Sequence, residues 1–323
     1  MTATIHPERW LKFLRTEYLE SFIKDGGASI KFAVPLDEHL REGIQSTILD
    51  QAKDAGYLVA RISSAETRVH LIDQLFFRVA EQIPWRQLTE DVITKLAREA
   101  HYVVPSEHHS EPLVNRLAKA NNRDPEAVAM EAKGWIDRGV FPQLLLARDF
   151  RVAVSQLCWA ELSGGPGGET TVQVITDWLT GRNKAISAVK PYNIFRRVNR
   201  SNARHLFESL LFWVRFAGYP GLIILLDVSR VTIARNPRDA LLFYTKAAMF
   251  DAYEVLRQFI DATSTMKGCL ILVMPALEFL DVEPFGRGMG AYDALKLRVY
   301  DEIHDQRLVN PMAALVRLSP EMD

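Results

Sequence analysis

Residues 221–227 read GLIILLD, an unbroken apolar run that opens with a glycine and ends in an aspartate. Runs of this kind are typical of strands covered on both faces, whereas a strand with one face in water alternates apolar and polar residues. Four more runs share these properties, so the chain has five predicted strands: 30–34, 57–62, 222–226, 269–274 and 314–318. Strands buried on both faces predict a parallel sheet.

Amphipathic segments separate these strands. The apolar positions of residues 65–83 recur at helical spacing, with Ser64 as the expected N-cap and Pro84 as the expected stop. Residues 202–217 and 239–263 repeat the helical pattern. Strand, helix and strand in succession at both ends of the chain predict an α/β fold with right-handed crossovers.

The middle of the chain has a different pattern. Residues 88–200 contain several helical patterns and no strand pattern, which predicts a helical insertion between the second and third strands. The expected division is therefore 1–87 with strands one and two, 88–200, and 201–323 with strands three to five. Inside the insertion, residues 163–169 read SGGPGGE, which predicts a mobile connecting loop rather than an anion-binding turn.

The composition excludes several classes of protein. Hydrophobic residues make up 48% and charged residues 24%, which is typical of a packed globular chain and excludes disorder. The net charge of −1 excludes a chain-wide basic field for nucleic acid or anionic lipid. No stretch approaches the roughly 20 apolar residues of a membrane helix, and the N-terminus lacks a signal-peptide pattern. We therefore expect a cytoplasmic protein with no membrane contact.

Residues for metal or nucleophilic chemistry are not arranged in a recognisable motif. Cys158 and Cys269 are too few for a disulfide framework or a cysteine-based zinc site. The eight histidines show no ligand spacing such as H-E-x-x-H, and no Gly-x-Ser-x-Gly segment is present. The sequence predicts no metal site and no catalytic nucleophile.

Several segments resemble the core of a P-loop NTPase. Residues 221–227 resemble the Walker B strand, whose final aspartate holds magnesium. Residues 26–34 (GGASIKFAV) resemble the strand that leads into the phosphate-binding loop, and 269–318 resemble the segments that complete the core. With 56–67 (GYLVARISSAET) and 199–227, they resemble the ATP-binding proteins of BREX-type bacterial phage-defence systems, in the AAA+/STAND group. The resemblance implies a parallel five-stranded sheet flanked by helices, with strand order 5-1-4-3-2.

The phosphate-binding loop of that family is not recognisable in this chain. A working loop reads G-x-x-x-x-G-K-[ST], because glycine backbones wrap the phosphates and the lysine reaches the β and γ oxygens. Residues 35–42 read PLDEHLRE, with no glycine before Gly43 and no lysine before Lys53. Asp37 and Glu38 also place negative charge where a triphosphate needs positive charge.

Other parts of the catalytic machinery are replaced as well. Asp227 is followed by Val228 rather than by the glutamate that polarises water, and residues 274–276 read MPA where a polar sensor residue is expected. No helical lid is expected after the fifth strand. We therefore interpret Pro35, Asp37, Glu38 and Asp227 as a degenerate nucleotide site with no catalytic residue and no cofactor.

A basic segment lies between residues 179 and 207, which contain no Asp or Glu. Its aromatic residues Tyr192 and Phe195 are interleaved with seven cations: Arg182, Lys184, Lys190, Arg196, Arg197, Arg200 and Arg204. Basic and aromatic residues together predict a nucleic-acid surface, since the cations contact phosphates and the rings stack on bases. A solvated face or a docking surface for an acidic protein explains the same pattern.

Arg298 takes the position that, by the resemblance, is held by an arginine reaching the nucleotide of a neighbouring subunit. The alternative is an ion pair with Glu302, one helical turn later.

These observations predict a non-catalytic, ATPase-like subunit of a bacterial anti-phage defence or DNA-modification complex. Such a subunit would dock on an active ATPase, methyltransferase or nuclease. One alternative is a weak or partner-dependent ATPase that binds ATP and magnesium through Asp227. The other is a DNA-binding module that uses residues 182–204.

Overall fold

The computed structural model describes residues 4–105, 111–300 and 310–320. The chain divides into two compact units: an α/β unit formed by Met1–Gln82 and Tyr219–Asp323, and a helical unit formed by Ile83–Gly218. The predicted insertion, 88–200, begins and ends within the helical unit. Within the described ranges, no helix combines the length and apolar character needed to cross a bilayer.

The α/β unit is built on one parallel sheet of five strands in the order β2-β3-β4-β1-β5. The strands are β1 (Ala28–Pro35), β2 (Leu58–Ser63), β3 (Leu222–Asp227), β4 (Cys269–Met274) and β5 (Leu315–Leu318). All four pairings are parallel. The five predicted strands, the parallel sheet and the order 5-1-4-3-2 are confirmed, and the fold is α/β and P-loop NTPase-like.

Helices cover the sheet. In the α/β unit these are α1 (Pro7–Phe13, continued by a π-helix over Leu14–Phe22), α2 (His39–Asp54), α3 (Ile72–Ala80), α11 (Lys246–Asp261) and α12 (Asp293–Val299). Ile223 and Leu225 of β3 face a core that includes Trp10 and Ile48 of the helices. The alternate residue Ile224 is also buried. Burial on both faces explains why the strand is an unbroken apolar run.

The helical unit contains α4 (Trp85–Glu99), α5 (Leu113–Ala120), α6 (Pro125–Gly139), α7 (Arg148–Ser163), α8 (Gly165–Leu179), α9 (Ile186–Val189) and α10 (Ala203–Phe216). The central helix α7 packs against α4, α5, α6, α8 and α10. Ser209 of α10 accepts a hydrogen bond from the backbone N–H of Ala147 (2.8 Å), just before α7. Residues 201–218, which the sequence pattern grouped with the last three strands, therefore belong to the helical unit.

The glycine-rich segment 163–169 is not a connecting loop, and this prediction is wrong. Helix α8 begins at Gly165, directly after Gly164, whose φ of 60° ends α7. A Cβ atom on Gly168 would lie 2.6 Å from the carbonyl oxygen of Ala160. The glycines therefore serve a close approach between α7 and α8, which composition alone cannot distinguish from flexibility.

Helix α3 begins at Ile72, not at residue 65, so Ser64 is not its N-cap. Hydrogen-bonded turns come first, and Tyr244 holds them from a distant part of the chain. Its hydroxyl accepts from the N–H of Val69 (3.2 Å) and lies 3.0 Å from the carbonyl oxygen of Ser64. Residues 239–245 likewise precede α11, where Thr245 is the N-cap. Both corrections reflect contacts between distant residues that local periodicity does not contain.

Candidate functional site

The candidate site lies at the carboxyl ends of three neighbouring strands. The sheet order places β4 between β3 and β1, so the ends at Asp227, Met274 and Pro35 are adjacent. In open parallel α/β sheets, ligands bind in the crevice outside these ends. The residues predicted to form the nucleotide site end β1, follow it or end β3, so they belong to this edge.

In the turn between β1 and α2, backbone N–H groups donate to acceptors of the same turn. The Oδ1 atom of Asp37 accepts from the N–H of His39 (2.9 Å). The carbonyl oxygens of Asp37 and Glu38 accept from the N–H groups of Leu40 and Arg41, both at 3.1 Å. These donors open α2, where unpaired N–H groups would attract an anion. Within the turn they already have partners.

Arg41 fills the space between this turn and the sheet, with only 11% of its side chain exposed. Its Nη1 and Nη2 atoms donate to the carbonyl oxygens of Met274 (3.0 Å) and Pro275 (2.8 Å) at the end of β4. Its Nε and Nη2 atoms also donate to both carboxylate oxygens of Glu38, at 2.5 and 2.7 Å. Nη1 lies 3.9 Å from Oδ1 of Asp227. The guanidinium therefore joins the ends of β3 and β4 to the start of α2.

The electrostatics of this group favour a charged arginine. Burial acts to lower the pKa of Arg41, but its hydrogen bonds to Glu38 and the charges of Asp227 and Glu278 raise it above its ordinary value. The same hydrogen bonds from Arg41 lower the pKa of Glu38. A carboxylate and a guanidinium that reinforce each other in this way remain ionised.

Asp227 is enclosed by further polar contacts. Oδ1 accepts from the N–H of Ser229 (2.9 Å), and Oδ2 accepts from Nε2 of Gln45 (3.3 Å). Gln45 is 2% exposed, and its Oε1 atom accepts from Nη2 of Arg61 on β2 (2.7 Å). A continuous network thus runs from Arg61 through Gln45 and Asp227 to Arg41.

The predicted site residues have distinct places in this arrangement. Pro35 pairs with Leu318 of β5 and continues the sheet. Asp37 caps the turn, and Glu38 and Asp227 both interact with the guanidinium of Arg41. Gln45 and Arg41 were not among the predicted residues. Arg41 lies three positions after Glu38 in the atypical turn, and that spacing was the only sequence signal for it.

Arg298 lies on α12 and contacts α11 within the α/β unit. Its Nε and Nη2 atoms bind the carboxylate of Asp261 at 2.6 and 3.1 Å, and Nη1 donates to the carbonyl oxygen of Ala294. This ion pair lowers the pKa of Asp261. Glu302, the alternative partner, lies outside the described residues. A role toward a neighbouring subunit stays a prediction.

The seven cations of the basic segment are all exposed. Buried Val189, Ile194 and Val198 anchor the segment between α8 and α10. Arg204 pairs with Glu208 at 3.5 Å, and in the described part of the chain the other six have no ion-pair partner. The basic surface is therefore presented on an ordered backbone.

A family model described as BREX system ATP-binding protein BrxC/D matches residues 45–322. The matched part contains Gln45 and Asp227 but begins after the turn that holds Glu38 and Arg41. Neither the curated proteins nor the solved structures contain a significant match to the chain. Because the family model covers most of the sequence, the resemblance is confirmed and the chain belongs to the family of BREX system ATP-binding proteins.

Proposed function

We propose that this phage-defence subunit is a pseudo-ATPase, which neither binds nor hydrolyses ATP and acts by docking on another protein of its system. The observation that carries the proposal is the position of Arg41, whose guanidinium bonds two carbonyl oxygens of β4 and lies beside Asp227. A cation of the chain itself occupies the edge where a P-loop protein holds phosphate and magnesium.

A nucleoside triphosphate does not fit this arrangement. A helix N-terminus binds phosphate through free N–H groups, and the N–H groups of His39, Leu40 and Arg41 are already bonded within the turn. Asp37 and Glu38 add negative charge at the same place. Magnesium would also need the carboxylate of Asp227, which already interacts with Gln45, Ser229 and Arg41.

The surface around the network supports protein docking. Asp37, Glu38, Glu42 and Glu278 are exposed carboxylates on the segments that follow β1 and β4; we call them the acidic face. Leu36 and Leu277 on the same segments are 37% and 49% exposed. Carboxylates beside apolar side chains are complementary to a partner with basic residues around an apolar centre. An ATPase, methyltransferase or nuclease of the same defence system is the expected partner.

Nucleotide binding is tested by thermal denaturation with millimolar ATP and magnesium. A ligand at one hundred times its dissociation constant stabilises a folded protein by about 2.7 kcal/mol, so occupancy would raise the melting temperature by several degrees. We expect no shift. Any shift would contradict the proposal, and a shift that is lost in Asp227→Asn would support the weak-ATPase alternative.

Docking is tested by co-purification with the other proteins of the defence system from their native host. We expect Glu42→Lys to remove the partner, since Glu42 lies on the acidic face and is exposed. Glu17→Lys, an exposed glutamate in the π-helix of the same unit, is the matched control and should retain it. Equal recovery of the partner with both variants would contradict docking through the acidic face.

We propose DNA binding through the basic segment as a second candidate function. The exposure of all seven cations, six of them without an ion-pair partner in the described residues, supports it. Replacement of Arg196, Arg197 and Arg200 by glutamate should abolish DNA binding at low salt. An absence of binding by the wild-type protein at 50 mM salt would contradict this function.

A further inference from the structure

A cavity of about 550 Å³ opens beside the basic segment in the helical unit. This volume is within the about 300–1,000 Å³ typical of small-molecule sites. Aromatic side chains (Trp178, Phe195), cations (Arg148, Arg196) and other polar groups (Asp149, Asn202, His205) line it. Rings combined with cations and hydrogen-bonding groups favour a flat, polar, anionic ligand.

Phe195 is the unusual residue of this cavity, because 52% of its surface is exposed. The Arg148 guanidinium lies 5.4 Å from its ring centre. The backbone N–H of Phe195 donates to Oδ1 of Asp149 (3.3 Å), which also accepts from Nη1 of Arg148 (3.1 Å). The ring is thus held in position at the surface, although no core packing requires it there.

Hydrogen bonds from Trp178 and Asn202, which also line the cavity, hold the backbone of the basic segment. Nε1 of Trp178 donates to the carbonyl oxygen of Arg196 (3.0 Å), and Nδ2 of Asn202 donates to that of Arg197 (2.8 Å). These bonds hold the backbone of the basic segment and leave the guanidinium groups of Arg196 and Arg197 exposed. Arg196 therefore lines the cavity, and exposed Arg197 and Arg200 follow it along the segment.

We propose that the cavity receives one unstacked base of a single-stranded nucleic acid, which stacks on Phe195 while Arg196, Arg197 and Arg200 contact the flanking phosphates. The proposal rests on the second candidate function and specifies its ligand. A base inside a duplex has both faces covered by its neighbours, so an exposed ring in a cavity selects an unpaired strand. An acidic protein would use the cations but has no need of the ring.

The test measures fluorescence anisotropy of a labelled 15-nucleotide single strand and of the corresponding duplex at 50, 100 and 200 mM salt. The wild-type protein should bind the single strand more tightly. Phe195→Ala should weaken single-strand binding about tenfold, because the stacking of one base is lost. Phe195→Trp should retain the affinity. Phe141→Ala, a second exposed phenylalanine of the helical unit, is the matched control and should change nothing.

The arginines are tested by salt dependence. Replacing Arg196 and Arg200 by glutamate should weaken binding and reduce the slope of log K against log salt by about 1.4, because each phosphate contact on a single strand contributes about 0.7. Arg98→Glu, at an exposed position of α4, is the control and should leave the slope unchanged.

The outcomes distinguish the proposed base site from nucleic-acid binding by the basic segment. Equal affinity for both nucleic acids, unaffected by Phe195→Ala, would overturn the base site while leaving the basic surface as a DNA-binding face. No binding of either nucleic acid at 50 mM salt would overturn both. Circular dichroism of each variant verifies that a lost affinity is not a lost fold.

Discussion

Nη1 of Arg41 and Oδ1 of Asp227 lie 3.9 Å apart across the carboxyl edge of the sheet. A P-loop protein uses the corresponding aspartate to hold a metal bound to its substrate. Here Arg41, at the start of α2, places a positive charge beside Asp227. The network links a turn, a helix and two strand ends, so we expect it to contribute to folding stability as well as to the shape of the acidic face.

Arg41→Met should lower the free energy of unfolding by about 2–3 kcal/mol. The variant removes the donors to Met274 and Pro275 and leaves the largely buried Asp227 without its nearby cation. Urea denaturation measures the change. Arg15→Ala breaks an ion pair with Glu20 whose side chains are 54% and 49% exposed, and it should cost less than about 1 kcal/mol. Similar losses in both variants would contradict a structural role for Arg41.

The burial of Lys31 should make its contribution to the free energy of unfolding depend on pH. Lys31 is buried on β1, donates to the carbonyl oxygens of Met312 and Ala313, and burial lowers its pKa from 10.5 to about 8. Between these values the unfolded chain binds more protons at this residue than the folded chain, so its contribution to the free energy of unfolding rises with pH. From pH 7.5 to 9.5 the rise should be about 2 kcal/mol.

The measurement for Lys31 is urea denaturation at both pH values. Over this window the free energy of unfolding of Lys31→Met should rise by about 2 kcal/mol less than that of the wild-type protein. Lys12→Met, at an exposed position of α1, should follow the wild-type protein. Cysteine and tyrosine also ionise in the unfolded chain in this window, and burial keeps the thiols of Cys158 and Cys269 protonated in the folded chain by raising their pKa. The contribution of Lys31 is therefore measured as the difference between the wild-type protein and Lys31→Met. A rise of the same size in Lys31→Met would assign it to other groups.

Replacing each of two adjacent glycines of α8 by alanine should change the stability of the protein in opposite directions. A Cβ on Gly168 would lie 2.6 Å from the carbonyl oxygen of Ala160, so Gly168→Ala should destabilise the protein by about 1–3 kcal/mol. A Cβ on Gly167 would meet nothing within 4 Å, and Gly167→Ala should stabilise the helix by up to about 1 kcal/mol. Thermal denaturation compares the two. Equal responses would mean that the contact between α7 and α8 is not close.

Tyr244→Phe should destabilise the protein by about 1–3 kcal/mol. The buried hydroxyl is within hydrogen-bonding distance of Ser64, Thr67 and Val69, and its removal leaves backbone groups of the turn after β2 without that partner. The partly exposed Tyr192, whose hydroxyl accepts only a 3.5 Å hydrogen bond from Thr171 among the described residues, is the control for the same substitution. Unfolding that is equally affected in both variants would contradict the anchoring role.

The strands were predictable because burial on both faces leaves a local signature, as in residues 222–226. Their order required the family resemblance, since periodicity carries no information on which strands are neighbours. The start of α3 was misplaced because Tyr244, which holds the preceding turn, is far away in sequence. The segment 163–169 was misread because glycine serves close packing and flexibility equally well.

The candidate site was predicted in part. Glu38 and Asp227 were identified from the family pattern, and the structure brings both to Arg41. Arg41 itself was missed, because its acceptors are carbonyl oxygens of Met274 and Pro275, which any residue could supply. Backbone acceptors leave no trace in side-chain identity, so the spacing of Arg41 from Glu38 was the only sequence signal for it.

The position of β1 in the sheet also governs how the chain assembles on the ribosome. Its neighbours are β4 and β5, with Ala28 opposite Cys269 and Phe32 opposite Leu315. Pairings separated by 241 residues (Ala28 with Cys269) and 283 residues (Phe32 with Leu315) form late, because a long intervening chain must first be closed into a loop. Until translation reaches β4, both edges of β1 are unpaired templates for other nascent chains. The soluble yield should therefore depend on chaperone supply during synthesis.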